Sequence, residues 1–309
     1  MFTSISYHKL IKMKMKNTKT IKVQILNAFV DNNKGGNPAG VVLDADNLSS
    51  ANKLEIAKKV GLSETAFVSK SKTEDFKLDF FTPNKQIAHC GHATVATFSY
   101  LQQLNRIKSN HSSKETIDGK REIELIGDLA FMEQLAPKYL AIHHKKSIIL
   151  KSLGLQITDL LPNASIQLVN TGNSFIIVPV KNSAVLKNTI PDFKLIHEIS
   201  EELDLIGYYV FTTETNNSER DATARMFGPR YGILEEAGTG MAAGPLACYL
   251  FDILKIKKER FLIQQGNYMQ APSPSLIIVD LKMEKGQIKK LMAGGKGVLK
   301  AQIEIELNI

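Results

Sequence analysis

The chain of 309 residues has no tryptophan and only two cysteines, Cys90 and Cys248. Two thiols cannot build a disulfide framework and are too few for a structural zinc site, so no metal is expected. So little cysteine suits a reducing compartment, and the cytoplasm is the expected location. No uninterrupted apolar run approaches the roughly 18 residues of a membrane helix. No basic stretch is interleaved with aromatic rings on which bases could stack, which argues against nucleic acid. Acidic residues are missing from one stretch. Met1 to Thr20 carries Lys9, Lys12, Lys14, Lys16 and Lys19 without an Asp or Glu, five charges of the net +8. That stretch has no apolar h-region and no small-residue cleavage site, so it is not a secretory signal. It has no Arg either, which argues against a mitochondrial transit peptide, and Met13 and Met15 could be alternative starts. Residues 1–19 are expected to be a disordered basic extension.

What is present suits an ordinary globular protein. The hydrophobic fraction is 43 % and the charged fraction 23 %, and the length corresponds to about two domains. The pattern predicts strands over 21–30 and 40–43, then a helix capped by Ser49 or Ser50 and closed by Gly61. Strands are predicted over 65–69 and 76–81, and a helix from about 91 to 104 with the stripe Ala93, Ala96, Tyr100, Leu101 and Leu104. Residues 105–119 read as a polar stretch ending in an Asp118-Gly119 turn, and 122–131 as a strand. Further strands are predicted over 166–169, 175–180, 208–213, 222–227, 261–266, 275–282 and 297–307. Helices are predicted over 191–203 and 240–253.

Three short elements recur in the same order. Gly36-Asn37-Pro38 is echoed by Gly172-Asn173-Ser174, Phe81-Thr82-Pro83 by Phe227-Gly228-Pro229, and Cys90-Gly91-His92 by Ala237-Gly238-Thr239. The last pair each precede a predicted helix. A duplication follows as the expectation: two α/β halves, each directing a helix N-terminus at a shared cleft.

Gly238-Thr239-Gly240-Met241-Ala242-Ala243-Gly244 superficially resembles a phosphate-cradling loop. Its spacing is one residue longer than the dinucleotide fingerprint, no strand is predicted directly before it, and no Gly-Lys-Ser/Thr element exists. A nucleotide cofactor is therefore not expected. Bare amides at glycine-bearing helix starts still suit an anion such as a carboxylate. Ionisable groups gather nearby in sequence: His89, Cys90 and His92 at one helix start, Glu235 and Glu236 at the other. Glu64 interrupts an apolar run and reads on its own as a loop carboxylate. His143-His144 reads as surface.

The motifs Asn27-Ala28-Phe29, Gly36-Asn37-Pro38-Ala39, Leu62-Ser63-Glu64-Thr65-Ala66-Phe67, Phe81-Thr82-Pro83 and Cys90-Gly91-His92-Ala93-Thr94 resemble the PhzF family of phenazine-biosynthesis-type isomerases. So do Thr171-Gly172, Ala224 to Pro229, Glu235 to Gly240, and Gln265-Gly266 with Pro272-Ser273. The resemblance spans roughly residues 21–305. It implies an α+β fold of two pseudo-symmetric diaminopimelate-epimerase-like halves, each a sheet wrapped around a central helix. The expected halves are 20–138, with the last strand 297–309, and 139–296. The implied activity is cofactor-independent proton transfer on a small carboxylate-bearing substrate. Glu64 would be the general acid/base, with His92 and Glu236 orienting substrate or assisting protonation. Asn37, Gly91, Ala93, Gly238, Thr239, Gly240 and Met241 would line the substrate site, and a homodimer is expected.

The chain departs from the family pattern at three points. Glu236 stands where Asp is usual, Met241 where Ser is common, and Ala93 where proline is frequent. The substrate is therefore expected to differ from the phenazine precursor. Two other functions remain open from sequence. A two-thiol racemase would need a second thiol at Ala237, and Cys248 lies about three helical turns, roughly 15 Å, beyond it. A non-catalytic binding protein could use the same scaffold. A chain begun near Lys19 should keep its melting temperature within about a degree or two. A larger drop in a calorimetric scan would make the extension part of the fold.

Overall fold

Strand Thr18–Ala28 alternates Ile21, Val23, Leu26 and Ala28 inward, the period-2 pattern of a sheet with one buried face. In the computed structural model, which describes residues 18–308, it pairs antiparallel with Asn37–Val42 and with the far end of the last strand, Gln287–Asn308. Asn37–Val42 lies parallel to Thr65–Ser69. A parallel pair needs a crossover, and helix Ser50–Val60 supplies it. A capping box between Ser49 and Asn52 starts that helix, and Gly61 at φ 70° ends it. Thr65–Ser69 pairs with Phe76–Phe81, which lies parallel to His111–Thr116 across helix Gly91–Gln103. Strands Gly119–Ile126 and Leu129–Leu135 follow as hairpins, and the latter pairs with residues 290–296 of the last strand. Those pairings close an eight-stranded barrel.

Helix Gly91–Gln103 fills that barrel. Every residue from Gly91 to Ser99 is buried, as a helix apolar on all sides requires. It is fastened to the last strand at Gly297. Ser99 Oγ accepts from Gly297 N at 2.9 Å and donates to Asp128 O at 2.6 Å, while Gln103 Nε2 donates to Gly297 O at 2.8 Å.

A second closed set of strands follows the same order of pairings. Gln167–Asn170 pairs with Ser174–Pro179, which lies parallel to Gly207–Thr212. The chain continues through Ala222–Gly228, a parallel Arg260–Gln265, and Ser275–Glu284, which pairs with the near end of the last strand. Lys138–Leu140 closes the set against Gln167–Asn170. Helix Gly240–Asp252 packs inside, buried at every residue from Ala242 to Phe251. Among the described residues, no helix is long and apolar enough to cross a membrane.

Several expectations need correction. The first strand begins at Thr18, not Ile21, so Thr18, Lys19 and Thr20 belong to the sheet; the rest of the expected extension, 1–17, lies outside the described residues. The polar stretch 105–119 contains strand His111–Thr116. Its inward residues are Ser112, Lys114 and Thr116, so no hydrophobic alternation announced it. The run 122–131 is two strands, broken at Gly127, whose φ is 60°. A short strand, Ile233–Glu236, does precede the Gly238 loop. The last strand starts ten residues before the expected 297 because it serves both sets of strands.

Glycines thin that strand where the barrel wall passes. A Cβ at Gly294 would lie 2.2 Å from Ala130 O and 2.6 Å from the Phe131 ring. Gly294→Ala should therefore cost about 1–3 kcal/mol, the usual penalty of overpacking, read as a lowered midpoint in urea unfolding. An unchanged midpoint would mean that the strand yields freely there.

Candidate active site

Glu64 directly precedes strand Thr65–Ser69, and its carbonyl accepts from Gly40 N at 3.0 Å, which anchors it between two strands. His92 is the second residue of the first central helix. Glu236 ends strand Ile233–Glu236. The fold brings these three side chains together. His92 Nε2 lies 3.3 Å from Glu64 Oε2, and His92 Nδ1 lies 3.2 Å from Glu236 Oε1. An imidazole thus stands between two carboxylates, all nearly closed to solvent. The contact to Glu64 is off the axis of a hydrogen bond, so Glu64 Oε2 and His92 Nε2 are buried without a hydrogen-bond partner.

The two carboxylates differ in what surrounds them. Burial pushes Glu64 above the ordinary glutamate range, against the attraction of His92. Burial acts on Glu236 in the same sense, but the hydrogen bond and charge of His92, with donors from Thr239 and Asn37, outweigh it and hold Glu236 below that range. Burial works against a charged His92, yet Cys90, Glu236 and Glu64 keep it well above the usual imidazole range. Two carboxylates driven apart in this way can take different roles, one staying ionised while the other takes up and gives back a proton more readily.

Glu236 is held by a polar clamp. Thr239 Oγ1 donates to Glu236 Oε2. Gln265, wholly buried, accepts from Thr239 N at 3.0 Å and from Tyr209 Oη at 2.8 Å, and donates to Glu236 O at 2.7 Å. Asn37 Nδ2 donates to Gly238 O at 2.9 Å. Neighbouring Glu235 points the other way, as alternation along a strand dictates, and forms a two-point ion pair with Arg225 at 2.8 and 2.9 Å. Glu235 is thus a structural carboxylate, and Glu236 belongs to the site.

Neither central helix has a side-chain cap. Cys90 and Thr239 occupy the N-cap positions without bonding the first-turn amides. Those amides keep the partial positive charge of a helix start. The two starts approach each other closely: a Cβ at Gly91 would lie 3.1 Å from Met241 Cγ. Gly240 fits against the Phe29 ring and Gly238 against Ser275. Ala93, in contrast, is packed into the core one step further along its helix.

Glu64, Cys90 and His92 also place one donor atom each within 4.8 Å of one another. Cys90 Sγ lies 3.6 Å from Nδ1, however, whereas Glu64 faces Nε2. Thiol and carboxylate thus face different ring nitrogens, and burial pushes the Cys90 thiol up, away from the thiolate a metal needs. Cys248 is buried deep in its helix, toward Asp252 and away from the helix start. Position 237, across from Cys90 in the sequence echo, is alanine.

Beside Met241 opens a cavity of about 260 Å³, whose wall includes His89, Arg121, Gln134, Thr171, Asn173 and Met241. Gln134 Nε2 donates to Gly240 O at 2.9 Å, and Asn173 Nδ2 lies 3.5 Å from Met241 Sδ. Sequence reasoning missed Gln134 and undervalued Gln265. Besides the Gln265-Gly266 motif, the signal for Gln265 was a polar residue at an inward position of the alternating strand Arg260–Gln265.

The profile of the phenazine biosynthesis-like protein family matches residues 26–302. An uncharacterized isomerase of Clostridium acetobutylicum is 30 % identical over 92 % of this chain and 97 % of its own length. The trans-2,3-dihydro-3-hydroxyanthranilate isomerase of Pseudomonas chlororaphis is 29 % identical over 89 % of this chain and 95 % of its own. The crystal structure of a PhzF-family phenazine biosynthesis protein from Bacillus anthracis superposes with a TM-score of 0.83 at 28 % identity, covering 93 % of this chain and 99 % of that one. With the match running through both central helices and both carboxylates, the chain belongs to the phenazine biosynthesis-like family of isomerases.

Proposed function

We propose that the protein is a cofactor-independent isomerase that moves a proton between two atoms of a small carboxylate-bearing substrate, with Glu64 as the general acid/base. The observation that carries this reading is the pair of unlike carboxylates around His92: Glu64 raised and with a free buried oxygen, Glu236 lowered and clamped. In this reading the two matching orders of strand pairings are pseudo-symmetric halves, 18–138 with 297–308 and 139–296, and the site is the cleft between them.

The substrate carboxylate sits against the uncapped amides of the two helix starts, around Gly91 and from Gly238 to Met241. There it meets fixed dipoles in a site with little water. Glu64 removes a proton from a carbon conjugated with that carboxylate. The electron pair left behind spreads into the conjugated system, and the helix amides stabilise the negative charge. Glu64, now protonated, returns the proton to a second carbon, and the double bond shifts accordingly. His92, held charged by Glu236, keeps the Glu64 carboxylate in place and favours its ionised form at the start of each cycle. Met241 closes the space where the helix starts meet, so it bounds the size of the substrate.

Trans-2,3-dihydro-3-hydroxyanthranilate, the compound in the name of the Pseudomonas relative, and a panel of small unsaturated acids serve as probes in D2O, read by NMR. Wild type should place deuterium at the accepting carbon of the acid it turns over. Glu64→Gln keeps the shape but cannot accept a proton, so turnover should fall by about 10²–10⁴-fold with little change in melting temperature. The base must be ionised, so kcat/KM should fall as the pH drops through a value above the 4.5 of an ordinary glutamate. Full activity in Glu64→Gln would overturn the assignment.

Cys90 tests the alternative chemistry. Cys90→Ser should keep most activity, because a single raised thiol, with alanine at position 237, lacks the second thiol that proton exchange from both sides needs. A loss beyond about a thousandfold in turnover would restore a thiol mechanism.

A further inference from the structure

Lys114 lies in strand His111–Thr116 with its side chain inside the barrel, wholly buried. Its polar partners are Thr94 Oγ1 at 2.6 Å and His89 Nδ1 at 3.2 Å, and its ammonium lies 4.9 Å from the centre of the Phe80 ring. No carboxylate pairs with it among the described residues. The Thr94 hydroxyl donates to Cys90 O at 2.6 Å, which leaves its lone pair to Lys114. A buried cation without a counter-ion is costly, and burial lowers the Lys114 ammonium to about 7, so near neutral pH it stands between its charged and neutral forms.

His89 supplies the link to a ligand. In its ammonium form a lysine has only donors to offer, so with Lys114 charged, His89 Nδ1 is the acceptor and the ring proton belongs on Nε2. Phe80 meets the imidazole edge-on at 6.2 Å between centres, which holds the ring in place. His89 forms part of the wall of the cavity beside Met241. The other charges of that wall are engaged: Arg121 with Asp118 at 2.7 Å, Lys120 with Glu122 at 3.1 Å, Glu133 with Lys290 at 3.3 Å. His89 has Lys114 as its hydrogen-bond partner among the described residues, so its other ring nitrogen is a donor open to a guest.

We propose that His89 and Lys114 form a second anion-recognition point in this cavity, so that the substrate is a small acid with two acidic groups, one at the helix starts and one at His89. The proposal rests on the reading of the helix starts as a carboxylate site. His89 makes the contact, and Lys114 is a positioning residue that fixes the tautomer and adds charge behind the ring. An arriving carboxylate stabilises the charged form of Lys114, which a neutral acceptor does not, so the pair favours an anion. Burial and the charge of Lys114 keep His89 well below the usual imidazole range, and hence a neutral ring with one donor.

Succinate, glutarate and adipate titrated against butyrate, followed by NMR on the whole protein, test the idea without any turnover. At least one diacid should bind about tenfold or more tighter than butyrate, the worth of one charge-assisted hydrogen bond. His89→Phe should cut that preference to below about threefold while leaving butyrate affinity in place. No preference in wild type, or a preference that survives His89→Phe, overturns the proposal. Glu64→Gln should retain the preference, so a failure of the isomerase reading shows as missing deuterium exchange with diacid binding intact. The ¹⁵N shifts of His89 test the role of Lys114 separately. Nδ1 should be unprotonated in wild type, and Lys114→Met should mix the two tautomers. A proton on Nδ1 in wild type would overturn the assignment even if Lys114→Met failed to fold.

Discussion

Strand Gln287–Asn308 is the constraint on which the rest depends. A sheet edge leaves backbone donors and acceptors unpaired. This strand removes edges from both sets of strands at once, through Ser275–Glu284, Leu129–Leu135 and Thr18–Ala28. Once each set is closed, its only apolar filling is a helix, and that helix must be buried on every face. The glycines at 294, 295 and 297 are the local condition: side chains there would strike Ala130 O, Phe29 and Ala96. Ser99 and Gln103 then tie one helix to the strand at Gly297.

Burying two helices in this manner fixes where their ends lie. Cys90 and Thr239 leave the first-turn amides without side-chain caps, a loss of about 1 kcal/mol per helix relative to a good cap. Those amides are the groups an anion would use. The stability forgone locally is the kind of local rule-breaking found at functional sites. Gly91 and Met241 bring the two starts into contact, and the strands on either side carry Glu64 and Glu236 to the same imidazole.

The cluster works through unequal surroundings of equal groups. Glu64 and Glu236 have the same side chain, and His92 touches both. Glu236 receives further donors from Thr239 and Asn37, while Glu64 keeps an oxygen without a hydrogen bond. The hydrogen-bond inventory of each site, more than its charge, therefore separates their acidities. Glu235, one residue away, faces a different partner: it pairs with Arg225, whose guanidinium also donates to the carbonyls of Leu186 and Thr189.

The sequence by itself determined the helices Ser50–Val60, Gly91–Gln103 and Gly240–Asp252, because caps, glycines and apolar stripes are local signals. Most of the apolar strands were legible for the same reason, and the motifs around Glu64, His92 and Glu236 marked the candidate site. Strand His111–Thr116 was not legible, because a barrel interior accepting Ser112, Lys114 and Thr116 shows no hydrophobic alternation. The first ten residues of the last strand were not legible either, since their partners, Leu129–Leu135 and Ser275–Glu284, include one more than 150 positions distant. The contacts themselves came from tertiary structure alone: His92 lying between Glu64 and Glu236, Gln265 clamping the loop, and Lys114 standing behind His89. Each of these is a contact between residues far apart in the chain, and long-range pairing sets the environment of a side chain, whereas local sequence sets only its identity and the backbone that carries it.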